Sequence, residues 1–316
     1  MTDSAGAEGE GIVHSLKWRR TNAAKHWQLY AMIALPVLFF VIFSYVPMYG
    51  VLLAFKDYRV ADGIWNSPWV GLKYFEQFFQ SPSSWRIIGN TVAISAYSIA
   101  AGFPIPILLA IALNEARSAW FKKTVQMVTY APYFISTVIL VGMALQFLDP
   151  RIGIVNQLLG LIGLEPRNFM GEPGSFKTIY VLIGIWAGSG YAAIIYLAAL
   201  AGVSKDLQEA AIIDGANKIR RIWHVDLPHI RPTIVILLIL NVGNVMSVGF
   251  EMIYLMQNAL NLSASEVVST YVYKMGLINS NFSFSTAVSL FNSVINLALL
   301  AAANFIARRT GNGGLW

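Results

Sequence analysis

The sequence predicts an all-α membrane protein with six transmembrane helices. Three observations carry that expectation. Hydrophobic residues make up 56% of the 316 positions and charged residues only 12%, where soluble domains average roughly 45–50% and about 25%. That is too little charge to cover a soluble surface, which excludes a soluble enzyme, a disordered chain and a coiled coil. Six windows free of Asp, Glu, Lys and Arg are long enough to cross a bilayer core of about 30 Å as helices. The basic residues are also shared unequally between alternate loops.

The windows fall at 27–55, 87–114, 124–148, 178–204, 232–250 and 275–307. The first is expected to stay in the membrane, because it is too long for a cleaved leader and no small-residue cleavage site follows it. The fifth is expected to run on past Glu251 to Met256. The sixth opens with Asn279, Ser280, Asn281 and Ser283, so its helix is expected to begin near Phe284. The apolar stretch 152–164 is too short to span and predicts an interfacial or outer helix. Prolines at 36, 47, 104, 106 and 132 predict kinks, since proline removes a backbone donor. Gly184 and Gly188 form a small-residue pair that predicts close helix packing. Gly188, Ser189 and Gly190, followed by Ala193, imitate a dinucleotide fingerprint. They lie inside an apolar span and not after a strand, so that reading is rejected.

An even number of spans places both termini on one side. Fourteen of the 22 Lys and Arg fall in the N-tail, the second loop, the fourth loop and the C-tail, against eight on the other side. The positive-inside rule then puts both termini in the cytoplasm. The net charge of +6 reads as this loop charge, and no nucleic-acid partner is expected. The expected divisions are a cytoplasmic tail at 1–26, the first span with an aromatic outer loop at 27–86, a five-helix core at 87–309 containing a loop at 204–228, and a cytoplasmic tail at 310–316. The aromatic loop, with Tyr58, Trp65, Trp69, Tyr74, Phe75, Phe78, Phe79 and Trp85, reads either as a belt at the membrane surface or as a docking surface for an external partner.

Chemistry-bearing groups are sparse. No cysteine is present, which excludes disulfides, thiol catalysis and Cys-ligated metal. The four histidines are scattered at 14, 26, 224 and 229. No metal set, no cofactor site, no catalytic cluster and no G-x-x-x-x-G-K-[ST] phosphate loop appears, so the chain is not expected to be an enzyme.

The patterned segment is the loop 204–228. Ser204 suits an N-cap and Asp206 the first turn that follows. Leu207, Ala210, Ala211 and Asp214 share one helical face, and Gly215 offers a stop at positive φ. A second short helix is expected, with Ile219, Ile222 and Trp223 on one face and Lys218 and Arg221 on another. Pro228 would then open the fifth span at an N1-type position. Alanines bury little area in headgroups, so the hairpin suits a groove on a partner, where Glu209 and Asp214 could meet basic residues.

Glu209-Ala210-Ala211, then Gly215 after three residues, then Val225, Leu227 and Pro228 after nine more, resembles the EAA loop of type I ABC importer permeases, with Val225 in place of isoleucine. Asp214, Ala216, Asn217, Trp223 and His224 resemble the carbohydrate-importing branch. So do Tyr45, Pro47, Met48, Tyr49 and Gly50; Ala54, Phe55, Lys56, Asp57 and Tyr58; and Trp65 to Gly71 with Tyr74 and Phe75. The subgroup they resemble includes the permeases named LplB and YtcP and the first permease of an alginate importer. The resemblance covers about 27–309.

This resemblance implies a MetI-like permease fold with a coupling-helix hairpin, half of a translocation pathway in the bacterial plasma (inner) membrane. It implies a second permease subunit as a heterodimer partner, two cytoplasmic ATPase subunits that bind ATP and Mg, an external solute-binding protein, and a carbohydrate cargo, an oligosaccharide or polysaccharide fragment. Glu209, Ala210, Ala211, Asp214 and Gly215 would form the docking element, and Leu227 and Pro228 would fix it to the fifth span. For the cargo, Asn241, Asn244, Ser247, Phe250 and Glu251 are the path candidates, several of them on one face of the expected fifth helix. Polar residues inside a membrane are costly and often functional, although interhelical hydrogen bonding is the plainer role for the asparagines. A non-sugar cargo remains the alternative, and a secondary transporter a more distant one.

Overall fold

The computed structural model describes residues 26–311 with 314 and 315. The tail at 1–25, with its basic Trp18 stretch, lies outside the described residues. The chain divides after Leu52 into two units. The N-terminal unit holds α1 (Trp27–Phe40), which is continued by a π turn at Val41–Tyr45 and a 3-10 stretch at Val46–Phe55 that runs past the division. None of the residues of α1 is buried.

The larger unit begins with the aromatic loop, and this loop is neither a plain belt nor a bare docking face. Lys56 is buried and donates from Nζ to the carbonyls of Ile64 and Trp65 at 2.8 and 2.9 Å. Its ammonium sits 5.1 Å from the Trp69 ring. These contacts fold the segment around α2 (Gly63–Asn66) and deliver α3 (Lys73–Gln80). Tyr74 and Phe78 of α3 enter a core with Ile87, Phe284 and Ala287, while Trp65, Trp69 and Trp85 stay exposed. The loop therefore contributes part of the core.

α4 (Pro82–Tyr97), a π turn at Ser98–Gly102 and α5 (Pro104–Glu115) make one apolar helix of 34 residues. It starts earlier than the charge-free window, at Pro82, because proline needs no donor partner at N1. The π turn sits just before Pro104 and Pro106 and accommodates the missing N–H groups. The third window forms α6 (Ala119–Tyr130), a 3-10 turn at Ala131–Phe134 containing Pro132, and α7 (Thr137–Phe147). The expected single span is bent there by 102°. Ile135 is extended, and Ser136 caps the new helix by accepting from Ile139 N at 3.5 Å.

The short helix expected within 152–164 is α8 (Ile154–Leu161). Asn156 holds its flanks together, donating to Asp149 O and Arg167 O at 3.0 and 3.1 Å and accepting from Arg167 N at 2.8 Å. α9 (Pro173–Leu200) follows, then α10 (Lys205–Ile213), α11 (Lys218–Arg221), a π turn at Ile222–Asp226 and α12 (Leu227–Gly243). α11, the π turn and α12 form one helix of 26 residues. The expected run to Met256 is not made: the chain turns at 244–249 before α13 (Phe250–Met256). α14 (Leu262–Ser265), α15 (Val268–Tyr273) and a π turn at Lys274–Ile278 lead to α16 (Phe282–Arg309). This last helix begins two residues before the expected Phe284, because Asn281 caps it by accepting from Phe284 N at 3.3 Å.

Among the described residues five helices are long and apolar enough to cross a membrane, and the bent pair would make six. Ala110 of α5, Ala193, Tyr196 and Leu200 of α9 and Ile230 of α12 form the core beside the hairpin. Gly190 of α9 is a close-packing glycine: a Cβ there would collide with the Thr129 carbonyl. Gly184 and Gly188 have nothing within 4 Å of a Cβ position, so the expected packing pair is not one.

Candidate functional site

The loop 204–228 folds as a helix, a turn and the start of the fifth span. Ser204 stands at the N-cap of α10 with Asp206 in the first turn, although the serine side chain makes no capping bond. Asp214 is the C-cap and Gly215 follows at φ +77°. Gly215 N donates to Ile212 O at 3.0 Å and Ala216 N to Ala211 O at 2.9 Å, the paired bonds of a Schellman stop. Asn217 then caps the next helix by accepting from Arg220 N at 2.9 Å. The separate second helix expected from the sequence is instead continuous with α12. Pro228 is the second residue after the π turn, whose wider spacing accommodates its missing N–H. Leu227 packs on the core of Ala110, Ala193 and Ile230. Glu209, Ala210 and Asp214 are exposed, and among the described residues neither acid forms an ion pair.

Sequence reasoning missed what lies behind the hairpin. Gln208 donates to Asp226 Oδ1 at 2.5 Å and accepts from Arg221 Nη1 at 3.0 Å. Arg221 reaches Glu115 Oε2, the last residue of α5, at 3.3 Å, and Lys218 approaches the same oxygen at 3.7 Å. Asp226 is buried. The available signal was an acidic residue, Asp226, directly before Leu227 at the entry to the span.

The cargo-path candidates part company at the helix break. Asn241 lines a cavity of about 390 Å³ between the π turn that follows α4, α5, α9 and α12, together with Ser98, Tyr180, Ser189 and Tyr196. Phe250 and Glu251 line a neighbouring cavity of about 380 Å³ with Pro132, Tyr133 and Thr137, at the bend of the third span. Tyr180, Gly184 and Gly188 line both. The open glycines thus face the cavities. Ser247 accepts from Asn296 Nδ2 of α16 at 2.7 Å, and Asn296 Oδ1 accepts from Met246 N at 2.9 Å. Ser247 is therefore an interhelical tie. Asn244 donates back to Leu240 O at 2.9 Å and lines neither cavity. The single polar face expected over 241–251 is absent because the helix stops at Gly243. Aromatic faces gather instead: Phe250 stacks on Tyr254 at 5.4 Å, Tyr273 lies 5.0 and 5.1 Å from them, and Tyr133 stacks on Tyr191 at 3.9 Å. No metal-binding group occurs among the described residues.

Residues 102–312 match the family described as binding-protein-dependent transport system inner membrane component. The chain belongs to this family. Its members are transport permeases, not enzymes, and this permease is a multi-pass inner membrane protein. It is 41% identical to Protein LplB of Bacillus subtilis (strain 168) over 98% of this chain and 95% of that protein. It is 43% identical to the polygalacturonan/rhamnogalacturonan transport system permease protein YteP of the same organism, over 91% and 90%. A chain from the crystal structure of a bacterial ABC transporter that imports the acidic polysaccharide alginate superposes with TM-score 0.85 at 39% identity, over 92% of this permease and 98% of that chain. A second structure, of the alginate transporter with its periplasmic protein bound to an alginate pentasaccharide, gives TM-score 0.86 at 38% identity, over 93% and 99%. The permease thus has the all-helical fold and family that its coupling motif resembled.

Proposed function

We propose that this permease forms half of the translocation pathway of an ATP-driven importer for an oligosaccharide or polysaccharide fragment. The carrying observation is the exposed hairpin with Glu209, Ala210 and Ala211 on α10 and Gly215 at its stop, in a family of binding-protein-dependent permeases. A second permease completes the pathway, two cytoplasmic ATPases bind Mg and ATP and hydrolyse the nucleotide, and a solute-binding protein delivers cargo from outside. Glu209, Ala210, Ala211, Asp214 and Gly215 dock on an ATPase; Leu227 and Pro228 carry the motion into α12. Both termini are cytoplasmic, which the excess of Lys and Arg in the hairpin and the tails supports.

The cargo passes beside Asn241, Phe250 and Glu251. Aromatic faces and scattered hydroxyls suit sugar rings, which present apolar faces and polar edges. Sequence likeness to YteP and structural likeness to the alginate transporter support a polyuronate cargo in particular. The test is uptake in vesicles holding this chain, the second permease, the ATPases and the binding protein. Labelled galacturonate, alginate and neutral oligosaccharides, amino acids and glycerol phosphate form the panel. ATP-dependent accumulation of a sugar supports the reading. Accumulation of only a non-sugar solute contradicts the cargo, and accumulation without ATP contradicts the importer.

A further inference from the structure

The hairpin helix α10 is held on the bundle by very little. Seven of its nine residues are exposed, and only Gln208 and Ala211 are half-buried. An alanine offers one methyl group. Gln208 offers an amide whose two ends are both in use, on Arg221 and on Asp226. The orientation of that amide is fixed by Arg221, since a guanidinium can only donate. Through Arg221 the link continues to Glu115 at the end of α5. One side chain therefore ties the docking helix to two spans.

Two further atoms in the cluster are idle. Arg221 Nε and Asp226 Oδ2 are buried without a hydrogen-bond partner. Buried polar groups left unpaired are costly and uncommon. Here one is a donor and the other an acceptor, on groups that flank the same glutamine. If Gln208 withdraws, the arginine and the aspartate can satisfy each other directly. Release of Gln208 would thus give the cluster a second arrangement, and a two-state element is what carries coupling between distant sites.

The geometry points to Gln208 as a positioning residue that latches the coupling helix to the second and fifth spans, inserted between Arg221 and Asp226 in one state and released in the other. This rests on the coupling role proposed above for the hairpin. When the ATPases move α10, the latch passes the motion to Glu115 and Asp226, and so to α5 and α12 together.

The absence of cysteine allows a spin-label pair at Asp206→Cys and Arg117→Cys, both exposed, in the assembled transporter. With Gln208 present, the distance between the labels is narrowly distributed. Gln208→Leu broadens it and lowers solute imported per ATP hydrolysed by about tenfold, the scale of a hydrogen bond to a charged group. Gln208→Glu has the same defect, because a carboxylate then faces Asp226. The double variant Gln208→Glu with Asp226→Asn restores both readouts: the carboxylate introduced at position 208 accepts from Arg221 and from the amide introduced at position 226, with the same net charge. A loss of general packing would not be repaired this way. A narrow distribution and normal import in Gln208→Leu overturn the latch. So does a double variant no better than Gln208→Glu in assembly, distance or import. Gly215→Pro is measured alongside. If it leaves import per ATP unchanged, the hairpin's coupling role fails; if it uncouples while Gln208→Leu does not, only the latch fails. The distance measurement needs no solute, and oligogalacturonate is the import probe.

Discussion

Gly190 and its neighbours show how much a single hydrogen decides. A Cβ at Gly190 meets the Thr129 carbonyl, whereas Gly184 and Gly188 have open space. Gly190→Ala is expected to destabilise the protein by about 1–3 kcal/mol, as overpacking does, lowering the melting temperature in detergent. Gly184→Leu or Gly188→Leu should leave melting nearly unchanged but reduce uptake, because both positions line the cavities. Asp57 and Tyr74 make a second residue-scale prediction. The Tyr74 hydroxyl donates to Asp57 Oδ1 at 2.5 Å. That bond, helped by Lys73 and Arg59 and opposed by partial burial, holds the Asp57 carboxyl below its usual range. Burial and the aspartate push the Tyr74 hydroxyl up to about 12. The Asp57 contribution is therefore present above the ordinary carboxylate pKa and lost as pH falls through the lowered one. The Tyr74 contribution is present below the ordinary tyrosine pKa and lost as pH rises through the raised one. Melting of wild type and Asp57→Asn, measured across pH, should differ by a constant amount through the neutral range and converge toward strong acid. A difference that instead grew toward acid would contradict the assignment.

The helices were legible in the sequence where composition alone sets them, and illegible where a local bond ends them. Charge-free windows located α1 with its continuation, α4 with α5, α9 and α16 closely, because lipid demands an unbroken apolar helix, but they placed the fifth span too late at both ends. They could not show the turn at 244–249, since Val245, Met246 and Val248 are as apolar as any helix interior. That turn is set by contacts remote in sequence: Asn296 on α16 accepts from Met246 N and donates to Ser247. The bend in the third span was half visible through Pro132, but its 102° depends on Ser136 starting a new helix. Asn296→Ala should remove both ties. It is expected to cost roughly 1 kcal/mol and to raise hydrogen exchange at 245–249, with little change in α9. Unchanged exchange there would mean that the turn is held by packing alone.

Across the whole molecule, the hairpin was the most legible feature and its attachment the least. Fixed spacing from Glu209 to Pro228 marked the segment proposed to dock, and the Gly215 stop formed as its residue type required. The Gln208, Arg221, Glu115 and Asp226 cluster joins residues up to 111 apart, and no local pattern announces such a cluster. The cavities were legible only in part: of the residues proposed for the cargo path, Asn241, Phe250 and Glu251 line them, while Tyr180, Ser98 and Tyr133 were visible only once α4, α9 and the bent span were assembled. Orientation is testable at this scale. Cysteines placed at Lys205 and Thr310 should react with an impermeant reagent from the cytoplasmic face, and one at Leu164 from the outer face. The central claim is that the hairpin converts ATPase motion into transport. Gly215 holds φ at +77° and donates to Ile212 O, whereas proline fixes φ near −65° and has no donor. The measurement is solute imported per ATP hydrolysed by the assembled transporter, wild type against Gly215→Pro. The account predicts that the ratio collapses toward zero while the complex still purifies intact; an unchanged ratio would contradict it.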